Sequence, residues 1–338
     1  MTQRYGSPDL SNFNHGLSTI LIGIKIDNSC VPQWHFYANL VSTALVIPLK
    51  NYYVCQMIWN EKRIIRIAIL DLNAGAPNQG MRCIRQIIHD WSATVDFDIE
   101  TTEFDVRQKT EVPDSSFDLY ISSGGPGDPL SSRFDDWDIA WCKWVDEMIR
   151  WNSNPSNQQK KQIFFICHSF QLACRYFNAG LVYKRKSTSF GVFPVHMLEE
   201  GLSEPVFDGL SDPFYAVDSR DHQVIQPNHS LISEMGGAVL CIEKERPHVP
   251  YERAVMGIRF NENMIGTQFH PEADAEGMTR HFETEEKRNA VIENHGLAKL
   301  ESMLAHLNDP DKIRWTYSHI LPNFLNHSIA QLELAELA

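Results

Sequence analysis

Cys167 stands at the junction of two patterns. Ile163 to Ile166 reads as a short buried strand, and His168-Ser-Phe-Gln-Leu-Ala173 opens a helical run. A thiol on such a sharp strand-to-helix turn sits at the carboxyl edge of a sheet, where the helix N-terminus supplies N–H groups and a positive dipole end that favours thiolate. A thiolate attacking a carboxamide or acyl carbon needs a base, a group that orients the base, and donors where oxyanion charge develops. His270 and Glu272, in Gly266-Thr-Gln-Phe-His-Pro-Glu272, meet the first two needs. Side chains two apart on extended backbone lie on one side of the strand end, and Pro271 stiffens the connection. The donors are expected to be backbone N–H groups: that of His168 at the helix start, and that of the Gly124-Gly125 turn within Ser122-Ser-Gly-Gly-Pro-Gly-Asp-Pro129, where missing side chains allow close approach.

Taken singly, each piece has an ordinary explanation. Cys167 alone is a small buried hydrophobe, His270 a satisfied loop histidine, Gly124 to Gly127 a tight turn, and Glu272 a solvated carboxylate. Three turns of the right chemistry, each following a strand candidate and in this order, are what argue for a nucleophile, its base and its oxyanion donors.

The elements that must hold these turns begin at Arg63. Ile64 to Leu70 reads as a fully buried parallel strand, and Asp71 to Asn78 as the loop at its carboxyl end. Met81, Ile84, Ile87, Ile88 and Trp91 recur at helical spacing. Val95 to Ile99 and Phe117 to Ile121 are the next strand candidates. Trp137, Ala140, Trp141, Trp144, Val145 and Met148 form an apolar helix face, which more simply describes a helix packed on a sheet than a cofactor box. Strands separated by helices of this length predict an α/β fold with a mostly parallel central sheet and helices on both faces, whose crevice lies at the strands' carboxyl ends. Beyond Leu181 shorter strands, Ser189 to Val195, Phe214 to Val217, Ala238 to Glu243, Ala254 to Phe260 and Met264 to Phe269, predict an antiparallel return layer. A helical C-terminal extension is expected over 276–338, with a last helix pair following Pro310 and Pro322.

Residues 1–60 read differently. Their apolar islands are broken by Lys25, Pro32, Pro48 and Lys50, and the stretch is expected to be a poorly ordered extension, with the working protein beginning near Met57. Neither island reaches the roughly 20 apolar residues of a membrane span, and Pro8 and Asp9 precede the first one, unlike a secretory signal. The net charge of −13 repels phosphate backbones and anionic lipid, so neither nucleic acid nor membrane is expected as a partner. Seven scattered cysteines are read as reduced thiols in a cytoplasmic protein. No metal site and no cofactor are expected, because His and Cys never gather at ligand spacing. His222, close in sequence to the substrate strand, is read as structural ahead of a ligand contact.

Ser123-Gly-Gly-Pro-Gly-Asp-Pro129, Ile166-Cys-His-Ser-Phe-Gln171 and Gln268-Phe-His-Pro-Glu272 resemble the three signature blocks of class I glutamine amidotransferases, the triad glutaminase domains of GMP synthase, anthranilate synthase and carbamoyl phosphate synthase. The resemblance spans about 64–275, giving an expected organisation of 1–60, 61–275 and 276–338. It implies a flavodoxin-like three-layer sandwich. It also implies hydrolysis of the glutamine side-chain amide through a thioester on Cys167, with ammonia passed to an acceptor on a separate synthetase subunit, as in a GMP synthase. By the same match Gly125 and His168 hold the oxyanion, while Gln171 and Ser219 contact the substrate. The family's glycines two before and two after the nucleophile are replaced by Phe165 and Ser169, and such bulk is expected to reshape the turn or the oxyanion hole. Segments from Ser189 to Phe193, Phe207 to Phe214 and Asp218 to Arg220 are similar to homoserine O-acyltransferases, which use the same three catalytic residue types on an acyl-coenzyme A donor. A third reading is a catalytically silent binding or regulatory module.

Overall fold

Apolar runs too short for helices set the centre of the molecule. In the computed structural model, which describes residues 19–25, 44–49, 52–58, 62–76, 78–246, 252–283, 288–289, 291–293, 296–307, 309 and 312–337, the chain divides into two units, 1–63 and 64–338. Within the first, read from sequence as an extension without regular elements, β1 (Thr19–Lys25), β2 (Ala44–Leu49) and β3 (Tyr52–Ile58) pair antiparallel with β3 in the middle. The apolar islands at 19–26 and 37–49 thus each contain a strand. Two other readings of this stretch, its apparent lack of order and a start near Met57, rest largely on residues outside those described.

The second unit is built on nine strands. These are β4 (Ile64–Asp71), β5 (Asp98–Asp105), β6 (Leu119–Ser122), β7 (Gln162–Ile166), β8 (Leu181–Met197), β9 (Phe214–Ile225), β10 (Ala238–Glu243), β11 (Val255–Asn261) and β12 (Met264–Thr267), in spatial order β10-β8-β9-β11-β12-β7-β6-β4-β5. Five strands, β5, β4, β6, β7 and β12, run parallel. The others join antiparallel. The sheet is therefore mixed rather than mostly parallel, and the strands expected as a separate antiparallel return layer continue the same sheet, the last of them, β12, parallel to β7. Because β10 bonds β11 as well as β8, this antiparallel half curls back on itself. The tight turn between β11 and β12, and the alternating burial of β9, suit an antiparallel half with one solvated face.

Helices cover both faces. On one side α1 (Gln79–Ser92) and the C-terminal helix pack on Ile65, Ile67, Ile69, Phe164 and Ile166. On the other, the Trp-rich helix and the helix after Cys167 pack on Ala68, Leu70, Ile163 and Phe165. Alternate residues of one strand feed the two cores, as the period of two requires. Further helices, in chain order, are α2 (Val106–Lys109), α3 (Asp136–Ser153), α4 (His168–Tyr176), α5 (Glu199–Leu202), α6 (His229–Glu234), α7 (Ala275–Glu283), α8 (Leu297–Leu307) and α9 (Ile313–Leu337).

Two further expectations change. The strand expected at Val95 to Ile99 begins only at Asp98. Val95 and Phe97 do pack on the core, whereas β5 is an edge strand of mostly exposed, polar residues that carries no hydrophobic signature. The expected final helix pair is one continuous helix, with Pro322 inside it. Pro removes one backbone bond, yet the helix buries Ile320, Leu321, Phe324, Leu325, Ile329 and Leu332 and Trp91 Nε1 donates to Asn326 Oδ1 at 2.8 Å. Packing along its whole length outweighs the break.

Candidate active site

The parallel ladder aligns four strand ends. Leu70 pairs with Ser122, Ser122 with Phe165, and Ile166 with Thr267, so the loops after β4, β6, β7 and β12 meet at one carboxyl edge. β4 pairs with both β5 and β6, which makes this edge the point where connections leave the first strand in opposite directions and open a crevice. A cavity of about 380 Å³ lies there, walled by Asn73, Gly124, Gly125, Cys167, Gln171, Ser219, His270 and Glu272 among others.

Cys167 is split between two ladders. Its N–H donates to Thr267 O of β12 at 2.7 Å, and its carbonyl accepts from Gln171 N at 3.0 Å as the first turn of α4. Strand and helix therefore meet at one residue, which adopts φ 48° and ψ −95°. For a side chain with a Cβ this is a strained backbone, costing on the order of 1–3 kcal/mol. The bulk at 165 and 169 does not abolish the turn. Phe165 points away into the second core, 5.6 Å from the ring of Trp141 and 5.9 Å from that of Phe260. Ser169 Oγ accepts from Ile166 N at 2.8 Å and donates to Ser122 O at 2.6 Å, so its hydroxyl ties the elbow to β6.

His270 follows β12, the strand beside β7, and its N–H donates to Val217 O at 2.8 Å. Its Nδ1 lies 2.8 Å from Glu272 Oε1. The Cys167 side chain lines the same cavity as the ring, and its charge acts on the imidazole. Burial disfavours the imidazolium, but the charges of Cys167 and Glu272 and hydrogen bonds to both raise His270 well above the ordinary histidine range. Glu272 is buried, and its second oxygen has no hydrogen-bond partner among the described residues. Two glycines make room. A Cβ on Gly124 would stand 2.9 Å from His270 Cε1 and 3.5 Å from Cys167 Cβ, and one on Gly80, in the first turn of α1, would stand 3.0 Å from Glu272 Oε1.

The other expected site residues also line the cavity. His168 opens α4, so its backbone N–H is one of the first-turn donors that lack an intrahelical acceptor. Its ring is buried, and burial together with the charges of Arg107 and Arg175 pushes it down to about 3, which keeps it neutral. Gly125 belongs to the turn after β6. Ser219 presents its carbonyl 3.7 Å from the Cys167 sulfur. Gln171 turns its amide nitrogen to Gln268 Oε1 at 3.0 Å and His222 O at 3.3 Å.

Gln268 was not singled out from sequence, although it lies two and four residues before His270 and Glu272 and therefore shares their side of the strand exit. Its buried amide donates to the Cys167 sulfur at 3.7 Å. His222, read as structural, lines the cavity with its Nε2 3.2 Å from Asp128 Oδ1, although the contact lacks hydrogen-bond alignment. Burial works against the Asp128 charge, but the Leu130 N–H and His222 hold its carboxyl below the usual range. Thr188 and Asp221 complete this rim, joined by a 2.5 Å hydrogen bond. No signal in the sequence marks them, because β8 and β9 meet here only through tertiary pairing. Among the described residues no group of His, Cys, Asp and Glu is placed to hold a metal ion, and no helix is long and apolar enough to cross a membrane.

A buried thiol, an imidazole and a carboxylate in series, beside helix N-terminal and glycine-turn N–H groups, can carry out nucleophilic acyl chemistry. Comparison with known proteins gives a family and a fold. The family model for glutamine amidotransferase class-I matches residues 81–287. A glutamine amidotransferase from Thermotoga maritima superposes with a TM-score of 0.56 at 14% identity, over 78% of this chain and 98% of its own. A glutamine amido transferase from Methylobacillus flagellatus gives 0.50 at 12% identity, over 79% and 95%. At these identities the structural likeness concerns the fold alone. No curated protein matches the chain.

Proposed function

Because this chain belongs to the class-I glutamine amidotransferase family, we propose that its cleft hydrolyses the side-chain amide of glutamine through a thioester on Cys167 and delivers the ammonia to a synthetase partner. The observation that carries the reading is the strained elbow. Cys167 at φ 48° faces an imidazole whose other nitrogen is held 2.8 Å from a buried carboxylate. A structure keeps such a backbone outlier only where its surroundings over-determine it, and such outliers cluster at reactive positions.

The geometry supports these steps. The Cys167 thiolate attacks the glutamine Cδ, and the oxygen that gains charge is met by the backbone N–H groups of His168 and Gly125. Collapse breaks the C–N bond, with His270 Nε2–H donating the proton that lets ammonia leave. A γ-glutamyl thioester remains. His270, now neutral, takes a proton from water as that water attacks the same carbon, and collapse returns glutamate and the Cys167–imidazolium pair. Glu272 fixes the ring and stabilises its charged form. Gln268 donates its amide to the sulfur, and Ser219 and Gln171 shape the wall against the substrate chain. A GMP synthase-like acceptor subunit is the leading identity for the partner.

The test is ammonia release from glutamine by wild type and Cys167→Ala, together with the intact mass of wild-type protein after brief exposure to glutamine. Release that the substitution abolishes, and an added γ-glutamyl mass on Cys167, are expected. Absence of release with acyl transfer from acyl-coenzyme A to homoserine would instead identify an acyltransferase. Silence in both assays, with Cys167 inert to a glutamine-like chloroketone, would identify a binding or regulatory module.

A further inference from the structure

The glycine turn after β6 has little backbone support of its own. Ser123 N donates to Leu70 O at 3.0 Å, but residues 124–127 make no backbone-to-backbone hydrogen bond among the described residues. Side chains hold the turn instead. At its entry the Ser123 hydroxyl accepts from Leu72 N at 3.0 Å and donates to Gly124 O at 2.9 Å. At its exit the guanidinium of Arg107 takes over: Nη1 donates to Pro126 O and, at 3.4 Å, to Leu72 O.

Arg107 reaches the turn from α2, the short helix that follows the edge strand β5. Asp105 caps this helix, its Oδ1 accepting from Gln108 N at 3.0 Å, and Gln108 Nε2 donates to Ala74 O at 3.0 Å, so α2 also brackets the loop after β4. Gly125 sits inside the bracket. A Cβ on it would clash with Leu72 O, and one on Gly127, at φ 102°, would stand 3.2 Å from Arg107 Nη2. The two carbonyls that Nη1 joins are therefore the one packed on Gly125 and the one that follows it in the chain. Glycine backbone is the freest to rotate, so the direction of the N–H groups in this turn depends on such contacts. The guanidinium also lies over the Trp137 ring, 4.6 Å from its centroid, and the Trp137 ring lies 6.2 Å from that of His168, whose N–H is the other expected oxyanion donor. Burial lowers the titration of Arg107 against the charges of Asp135 and Asp138. Half-burying a guanidinium is costly unless its donors are used, and here they are used on the turn.

We propose that Arg107 is a positioning residue for the oxyanion turn: by joining Leu72 O to Pro126 O it keeps the Gly125 N–H aimed at the carbonyl oxygen under attack. The role rests on the amidotransferase reading of the cleft, and adds to it a side chain that does not line the catalytic cavity. Removing an oxyanion donor outright costs about 10²–10³ in rate, and misplacing a catalytic group by about 1 Å costs about 100-fold. Loss of the Arg107 bridge misplaces the donor without removing it. The donor acts on charge that develops only as the bond forms, so kcat and not KM carries the loss.

The test compares the full chain as wild type, Arg107→Ala and Arg107→Lys in ammonia release from glutamine and in alkylation of Cys167, read by peptide mass. In Arg107→Ala, kcat should fall about 10- to 100-fold, with KM within about threefold of wild type. A glutamine-like chloroketone, whose carbonyl becomes an oxyanion as the thiolate adds, should react more slowly by a similar factor. Iodoacetamide, from which the thiolate displaces iodide with no oxyanion formed, should react within about twofold of the wild-type rate, because it reads the thiolate alone. Arg107→Lys keeps the charge but loses the fork; its kcat should lie between the other two, and it serves even if Arg107→Ala melts early. An Arg107→Ala kcat within about twofold of wild type, a loss carried by KM, or chloroketone and iodoacetamide rates that fall together would each overturn the role. Wild type that releases no ammonia would refute the glutaminase reading instead. The chloroketone-to-iodoacetamide ratio then decides on Arg107: lowered about tenfold in Arg107→Ala it supports the role, and unchanged it overturns it.

Discussion

Replacing Glu272 with Gln removes one charge and little else. The amide keeps an oxygen 2.8 Å from His270 Nδ1 and the same shape in a buried position, so the ring stays oriented while its imidazolium loses a charged acceptor. A charge-assisted hydrogen bond contributes about 1.5–3 kcal/mol, roughly 10- to 100-fold, to any step that needs the charged ring. His270 is raised by Cys167 and Glu272 against the opposing effect of burial, so the substitution lowers its titration. The alkaline limb of the pH–rate profile should therefore move to lower pH. Stability gives an independent sign. A raised folded-state value contributes stability that is fully present below the unfolded histidine value of about 6.5 and lost as pH rises through the folded one. The melting-temperature gap between wild type and variant should thus be wider at pH 6 than at pH 10. The assay is glutamine-dependent ammonia release from pH 5 to 10, with chloroketone alkylation of Cys167 over the same range. A variant within twofold of wild type at every pH, with an unmoved alkaline limb, would refute the role given to the carboxylate.

Further substitutions separate site from scaffold. Gly124→Ala places a Cβ 2.9 Å from His270 Cε1; ammonia release should fall at least about tenfold, the size of a displaced catalytic contact, while circular-dichroism melting shifts little. Ser169→Gly restores a smaller residue but removes the ties to Ile166 N and Ser122 O, so denaturant unfolding should show a loss of about 1–3 kcal/mol. Phe165→Ala empties a site among Trp141, Trp144 and Phe260 and should cost about 3–5 kcal/mol in the same measurement, with Phe165→Leu much milder.

The site was legible to the extent that it is written locally. Cys167 between a strand run and a helix run, and His270 two residues from Glu272, are patterns of neighbours, and the structure brings these three side chains to one crevice. β10 was located residue for residue, because Ala238 to Glu243 is an apolar run with clear ends. β5 was not, because an edge strand of polar residues buries little and so leaves no periodic trace. Pro322 was read as a boundary because local backbone chemistry forbids it inside a helix. The long apolar face of α9 overrides that rule.

What the sequence alone marked is the candidate nucleophile, its candidate base and the parallel strands at Ile64 to Leu70, Phe117 to Ile121 and Ile163 to Ile166, since backbone preference and hydrophobic period act over a few residues; that the strand before His270 also runs parallel came only with the structure. Only the tertiary structure decided the antiparallel half of the sheet, the rim of Thr188, Asp221 and His222, the Gln268 contact to sulfur, and the meeting of Arg185, Arg220 and Arg246 on Glu243. Those residues come from strands far apart in the chain. Their partnership is fixed by register and burial, which depend on the whole core closing at once.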